Sequence, residues 1–148
     1  MNFLKNFKIM EVGAPIAAAN NTDSNSDRID MAGWDGVCFI GSITDSVATG
    51  VATLTAEQNI ADSDTGMAAL SGGAATATCA VNDDLNDQLL VVDIYKPQER
   101  YVQAVRTSAT ANIAFGTLIA ILYRNRKQPI TEDSTILDSV LAVSPAEA

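Results

Sequence analysis

Two stretches hold the side chains best able to do chemistry. The first is DSDTG at residues 62–66, where Asp62 and Asp64 stand two apart and Gly66 can turn the chain. A calcium loop begins this way, because a hard cation needs several oxygens converging from one tight turn. A full EF-hand loop needs a glutamate at its twelfth position, which is residue 73, and Gly73 stands there. Asp83, Asp84 and Asp87 could bring carboxylates from another loop. Ordinary acidic turns account for the same residues, so a calcium- or carbohydrate-binding module is kept as an alternative reading.

The second stretch is YKPQERYVQAVR at 95–106, which gathers tyrosine and basic residues in an otherwise acidic chain. Tyr and Arg are enriched in the centres of protein interfaces, since each offers broad contact area and directed hydrogen bonds. Trp34, Tyr95, Lys96, Arg100, Tyr101 and Arg106 are therefore the candidate interaction residues. A structural account competes with that one. Across a tight turn Tyr95 would lie near Tyr101, and Asp93 would approach Arg100 or Arg106. Such rim pairs are worth about 0–1 kcal/mol when exposed.

Enzymatic chemistry is not expected. The chain has no histidine, the usual general base at neutral pH and the commonest metal ligand. Serine and cysteine triads of the histidine-dependent kind are excluded with it. Cys38 and Cys79 are far apart, lack CxxC spacing and sit in apolar text, so free thiols are expected. A pair of carboxylates could serve a glycosidase, but no pair stands out in apolar surroundings and aromatic platforms for a sugar are few. No catalytic residue, metal ligand or cofactor is assigned.

Nine basic against eighteen acidic residues give a net charge of −9. Phosphate contacts need a basic face, so nucleic acid is not the expected partner. The dense basic run RNRK, 124–127, reads as a solvated strand end. The longest apolar run, 113–122, is shorter than the ~20 residues that cross a bilayer. No signal-like segment opens the chain, and synthesis in a reducing cytoplasm is expected.

The elements that position these residues read as strands. Residues 3–12 look like a first strand. Residues 13–27, GAPIAAANNTDSNSD, read as turn and loop and as a candidate flexible arm. VCFIGSI within 28–44 has the composition of a buried strand. In 47–58, Val51, Thr53 and Thr55 face one way and Ala52, Leu54 and Ala56 the other. MAAL at 67–70 could start a helix, and SGG at 71–73 reads as a turn. LLVVDIY at 89–95 reads as a central strand covered on both faces. KPQE turns the chain, with Pro97 setting φ. In the arm that follows, Val102, Ala104 and Arg106 share a side opposite Tyr101, Gln103 and Val105. Residues 113–123 form the strongest buried strand, and the tail after 134 fits either a helix or a strand. Turn signals recur about every ten residues with no heptads, which is the pattern of an all-β sandwich or barrel. A segregated α+β fold is the second choice. The 148 residues suit one domain, 1–148.

DMAGWDGVCFIGSI (30–43), LLVVDIYKPQERYVQAVR (89–106) and AVSPAEA (142–148) together resemble a family of small head proteins of tailed phages and prophages. The family shows M.GYDGVVF, LDVYKPRERYVR and LVSPAEG in the same order, and the resemblance spans about residues 3–148. Trp34 stands where Tyr is usual, and Gln98 replaces a basic residue of the turn. The resemblance implies a capsid decoration, or cement, protein. It implies an antiparallel jelly-roll sandwich that assembles as a homotrimer and binds the major capsid protein on the outer surface of the virion head. A head–tail completion protein is the other role the family allows.

Overall fold

The computed structural model describes residues 1–126, 129–144 and 146. Period-two alternation dominates, and the described residues lay down ten strands with one helical turn, α1 (Phe3–Asn6). The strands are β1 (Phe7–Gly13), β2 (Ile16–Ala19), β3 (Thr22–Asn25), β4 (Ile29–Asp30) and β5 (Gly36–Ser46). They continue as β6 (Val51–Asn59), β7 (Ala68–Thr78), β8 (Leu89–Tyr95), β9 (Tyr101–Ala109) and β10 (Ile113–Tyr123).

All pairs are antiparallel and form two sheets. The first runs β1-β10-β5-β8, with β2 also on β10. The second runs β3-β9-β6-β7, with β4 also on β9. First and last strands are neighbours and the long strands interleave between layers, which is the strand order of a jelly-roll sandwich.

The core between the sheets is asymmetric. The first sheet contributes the large side chains, among them Val37, Phe39, Ile43, Leu118 and Leu122. The second contributes Ala52, Ala56 and Ala104 beside Leu54 and Val102. Small residues on one layer let the other pack large ones close, which keeps interior density high. The alternation expected for 51–56 holds, with Ala52, Leu54 and Ala56 buried.

Several expectations are corrected. Residues 3–6 form a helical turn, so the first strand starts at Phe7. The segment 13–27, read as loop, contains β2 and β3. Polar Thr22–Asn25 becomes a strand because its backbone pairs with Arg106, Val105 and their neighbours on β9, not because it buries apolar area. MAAL starts no helix, and Ser71–Gly73 is no turn; from Ala68 onward both lie in β7, which pairs with β6. Gly72 there has φ 73°, and the register shifts between Thr55 and Glu57, so the strand bends rather than ends. The tail, 129–144, forms neither helix nor strand.

LLVVDIY is a strand, but it lies at the edge of its sheet. Its burial alternates. Leu90 and Val92 face the core, while Leu89 is 60% and Val91 50% exposed. The continuous apolar text does not mean two covered faces here.

Candidate interaction site

One end of the sandwich is built from the 31–35 loop, the turn between β8 and β9, and the residues after β10. Backbone bonds knit the three together. Met31 N–H donates to Arg100 O at 2.8 Å, Lys96 N–H to Asp35 O at 2.6 Å, and Arg126 N–H to Gly33 O at 2.9 Å. Gln58 Oε1 accepts from the N–H groups of Gln98 and Glu99 at 3.1 and 3.3 Å, which pins the turn to β6. Gly33 supplies φ 88°, a left-handed conformation that side chains resist. Lys96 and Arg124 also take positive φ, at 55° each, where the chain leaves β8 and β10.

Charges on this rim are paired. Arg100 forks onto Asp30 at 2.9 and 2.7 Å. Asp35 receives Arg126 at 2.8 Å and Arg124 at 3.5 Å. Aromatic rings carry the rest. Lys96 Nζ stands 5.2 Å and the Arg124 guanidinium 5.7 Å from the Tyr95 ring centre, and Arg100 stands 5.3 Å from that of Tyr101. A cleft of about 660 Å³ opens among Trp34, Asp35, Lys96, Arg100 and Arg126.

The rim runs into the outer face of the first sheet. Directly paired residues share a face. The register therefore lines up Tyr123, Gly36 and Tyr95, then Ile121, Cys38 and Asp93, then Ile119, Ile40 and Val91, with Ile9 beside Ile121. Gly36 is required by its neighbour, because a Cβ there would lie 2.2 Å from the Tyr123 ring. Over that gap Tyr123 stacks on Tyr95, with ring centres 6.4 Å apart, and donates its hydroxyl to Asp93 at 2.7 Å. Burial, then the carboxylate, raises the Tyr123 phenol above the ordinary value of 10.0, so the hydroxyl stays a donor.

Of the six candidate residues, the structure brings five, Trp34, Tyr95, Lys96, Arg100 and Tyr101, to this end of the sandwich. Arg106 is not among them. It is 2% exposed and points between the sheets, where Nη1 donates to Gly116 O at 2.8 Å. Its place on β9 follows the parity of Val102 and Ala104, so its charge goes inward with them. The expected partners also differ. Asp93 takes Tyr123 rather than Arg100 or Arg106, and Tyr95 stacks on Tyr123 rather than Tyr101. Tyr123 and the outward residues of β5 and β10 were missed. Their strand text was read for burial alone, although alternating Ile119 and Ile121 marked a second face. Lys127 of the basic run lies outside the described residues.

Asp62 and Asp64, the residues resembling a calcium loop, are taken up by Arg28 at 2.6 and 2.8 Å. Asp84 instead accepts the backbone N–H of Ala80 at 2.9 Å. Among the described residues, no group of three or more Asp, Glu, Cys or His is placed to hold a metal ion. Cys38 and Cys79 are both free thiols.

The Arg100 pair predicts a pH effect. Hydrogen bonds from the guanidinium hold the Asp30 carboxyl below its ordinary 3.8. A lowered folded-state value means that the contribution is present above about pH 4 and is lost as pH falls through the lowered value. Asp30→Asn is expected to flatten the fall in melting temperature between roughly pH 5 and pH 2. The difference should be small, because both side chains are about half exposed and solvent screens them. Parallel pH curves for parent and variant would remove this role.

Fold and surface together define an all-β sandwich with jelly-roll strand order, carrying a rim of aromatic and basic side chains at one end. No family model matches the chain, and no curated protein matches it. Among solved structures it is similar to the crystal structure of PBSX exported protein XepA, with a TM-score of 0.52 and 14% sequence identity. The match covers 96% of this chain and 45% of that one, so the chain spans less than half the length of its neighbour. At that identity the likeness establishes the fold.

Proposed function

We propose that the chain is a structural protein of a tailed-phage particle, a decoration protein that binds the outer surface of the head and reinforces the shell. The observation that carries this is the Tyr and Arg rim continuous with an apolar sheet face, on a chain of net charge −9. Acidic charge keeps such a protein soluble, and an aromatic rim whose charges are paired, running into an apolar sheet face, gives it a place to adhere. A partner that binds only the assembled shell stabilises it by mass action. The sequence resemblance to phage head proteins supports the particle reading, and the likeness to PBSX exported protein XepA supports the fold that the reading needs. In this reading the contact is with the major capsid protein, the chain acts as a homotrimer without enzymatic activity, and no nucleic acid or membrane is engaged.

Purified protein mixed with undecorated heads is expected to bind in many copies per shell, counted by quantitative gel or electron microscopy. Lys96→Glu with Arg100→Glu is expected to lower that occupancy at unchanged circular dichroism. Binding confined to a single vertex would favour the head–tail completion role instead. Absence from shells and from purified virions would end the proposal.

A further inference from the structure

Each sheet of a sandwich ends in two strands with unpaired backbone groups, and such edges recruit other chains unless something blunts them. Three of the four edges here are blunted. The β3/β4 edge is broken into strands of four and two residues. The β7 edge is bent by its register shift and by Gly72. The β1 edge has a register shift between Glu11 and Gly13, and the tail covers it, with Thr135 Oγ1 accepting from Glu11 N–H at 3.1 Å. The β8 edge has none of these devices. Its seven residues pair with β5 without a bulge, carry no Lys or Pro, and show Leu89 and Val91 half bare. A cleft of about 540 Å³ runs beside it, between Leu70–Gly73 of β7 and Asp93–Tyr95.

The same chain contains a segment that fits this edge. Residues 136–144, ILDSVLAVS, are apolar at five of nine positions counting Ile, Leu and Val. Leu137, Val140 and Val143 are strongly exposed. In an extended conformation Leu137, Leu141 and Val143 would share one face, and Ile136, Val140 and Ala142 the other. The tail is anchored at the opposite side of the sheet, where Asp133 pairs with Lys8 at 3.4 Å. The order β1-β10-β5-β8 puts that anchor three strand spacings, roughly 14 Å, from β8. Returning to its own β8 would consume about half of the nine residues in crossing the sheet. Charge agrees with an exchange between copies. The ionisable residues of 132–144 are Glu132, Asp133 and Asp138, all acidic, whereas Lys96 and Arg124 stand over Tyr95 at the end of β8.

We propose that the tail, residues 136–144, of one copy adds as a strand to the free edge of β8 on a second copy, with its apolar side chains seated in the cleft between β8 and β7. The contact is heterologous, tail to edge, so its repetition generates a closed ring or a chain of copies. This deepens the self-association included in the proposed function by naming its interface, and it is tested without a capsid.

Sedimentation and light scattering of the full chain are expected to show self-association. An edge variant, Leu89→Lys with Val91→Lys, and a tail variant, Leu137→Lys with Leu141→Lys and Val143→Lys, change only surface positions. Circular dichroism checks that both fold. Each alone is expected to associate about 100-fold or more weakly than the parent. Mixed together they are expected to form a one-to-one heterodimer, because the tail of the edge variant meets the intact edge of the tail variant. A monomeric parent overturns the proposal. So does a tail variant that still associates like the parent, as a face-to-face dimer would, or a mixture in which no heterodimer forms. Failure here leaves shell binding to be judged on heads, and failure on heads leaves this contact standing.

Discussion

Arg106→Glu is expected to abolish the cooperative folded state, whereas Arg106→Met is expected to fold with a stability within about 2 kcal/mol of the parent. The guanidinium lies between the sheets with no carboxylate in an ion pair with it among the described residues. Desolvation pushes its pKa down from the usual arginine value. One hydrogen bond to Gly116 O holds it, and its Nε is buried without a partner. Room for it comes from Gly13, where a Cβ would lie 2.6 Å from Nη2. That room sits at register shifts, between Glu11 and Gly13 on β1 and between Phe115 and Leu118 on β10. Methionine fills a similar volume, loses about 1 kcal/mol of hydrogen bonding and regains the cost of a buried charge. Glutamate places an anion in the same site, facing a carbonyl and no cation. Burial of an uncompensated charge costs several kcal/mol, against a total stability of about 5–15 kcal/mol. Urea unfolding followed by circular dichroism reads the outcome, and a Glu variant with a normal transition would show that the site reaches water.

Phe39→Ala is expected to cost about 3–5 kcal/mol and to lower the melting temperature by roughly 10–15 °C. Phe39 is fully buried in the middle of β5. The opposing layer is rich in Ala52, Ala56 and Ala104, which cannot extend into a vacated space. Little relaxation is available, so the cavity stays open and the loss falls at the upper end for its kind. Leu89→Ala removes a larger aliphatic group than many core changes, yet it is expected to cost less than about 0.5 kcal/mol because Leu89 is already in water. Similar losses for both variants would mean that the inner and outer faces of the first sheet are assigned wrongly.

Some of this was legible from local pattern. Alternation marked β6 and β9 as strands, and the apolar text of 113–123 marked β10; which side of each strand goes inward was left to the packing, and in β9 residues on both sides are buried. Clustering of Tyr, Lys and Arg around 95–101 marked the rim, because a turn keeps neighbours in sequence close in space. The rim's other half was not legible there. Tyr123 reaches Tyr95 only through the ladder of β10, β5 and β8, across a glycine whose reason for being small lies 87 residues away. Arg106 shows a related limit. Its parity with Val102 and Ala104 was readable, but its charge argued for the surface, and the glycine that makes room for it and the carbonyl it bonds come from two other strands.

By itself, then, the sequence determined that the chain is β-rich, which side chains share a face of each strand, and that no histidine is present for chemistry. Only the tertiary structure decided which strand is central and which is an edge. LLVVDIY and IAFGTLIAILY are equally apolar, yet one ends a sheet and the other lies inside it. Side-chain period is a local property of backbone geometry. Rank within a sheet depends on which distant strand supplies the next ladder of hydrogen bonds, and no short window of residues contains that partner.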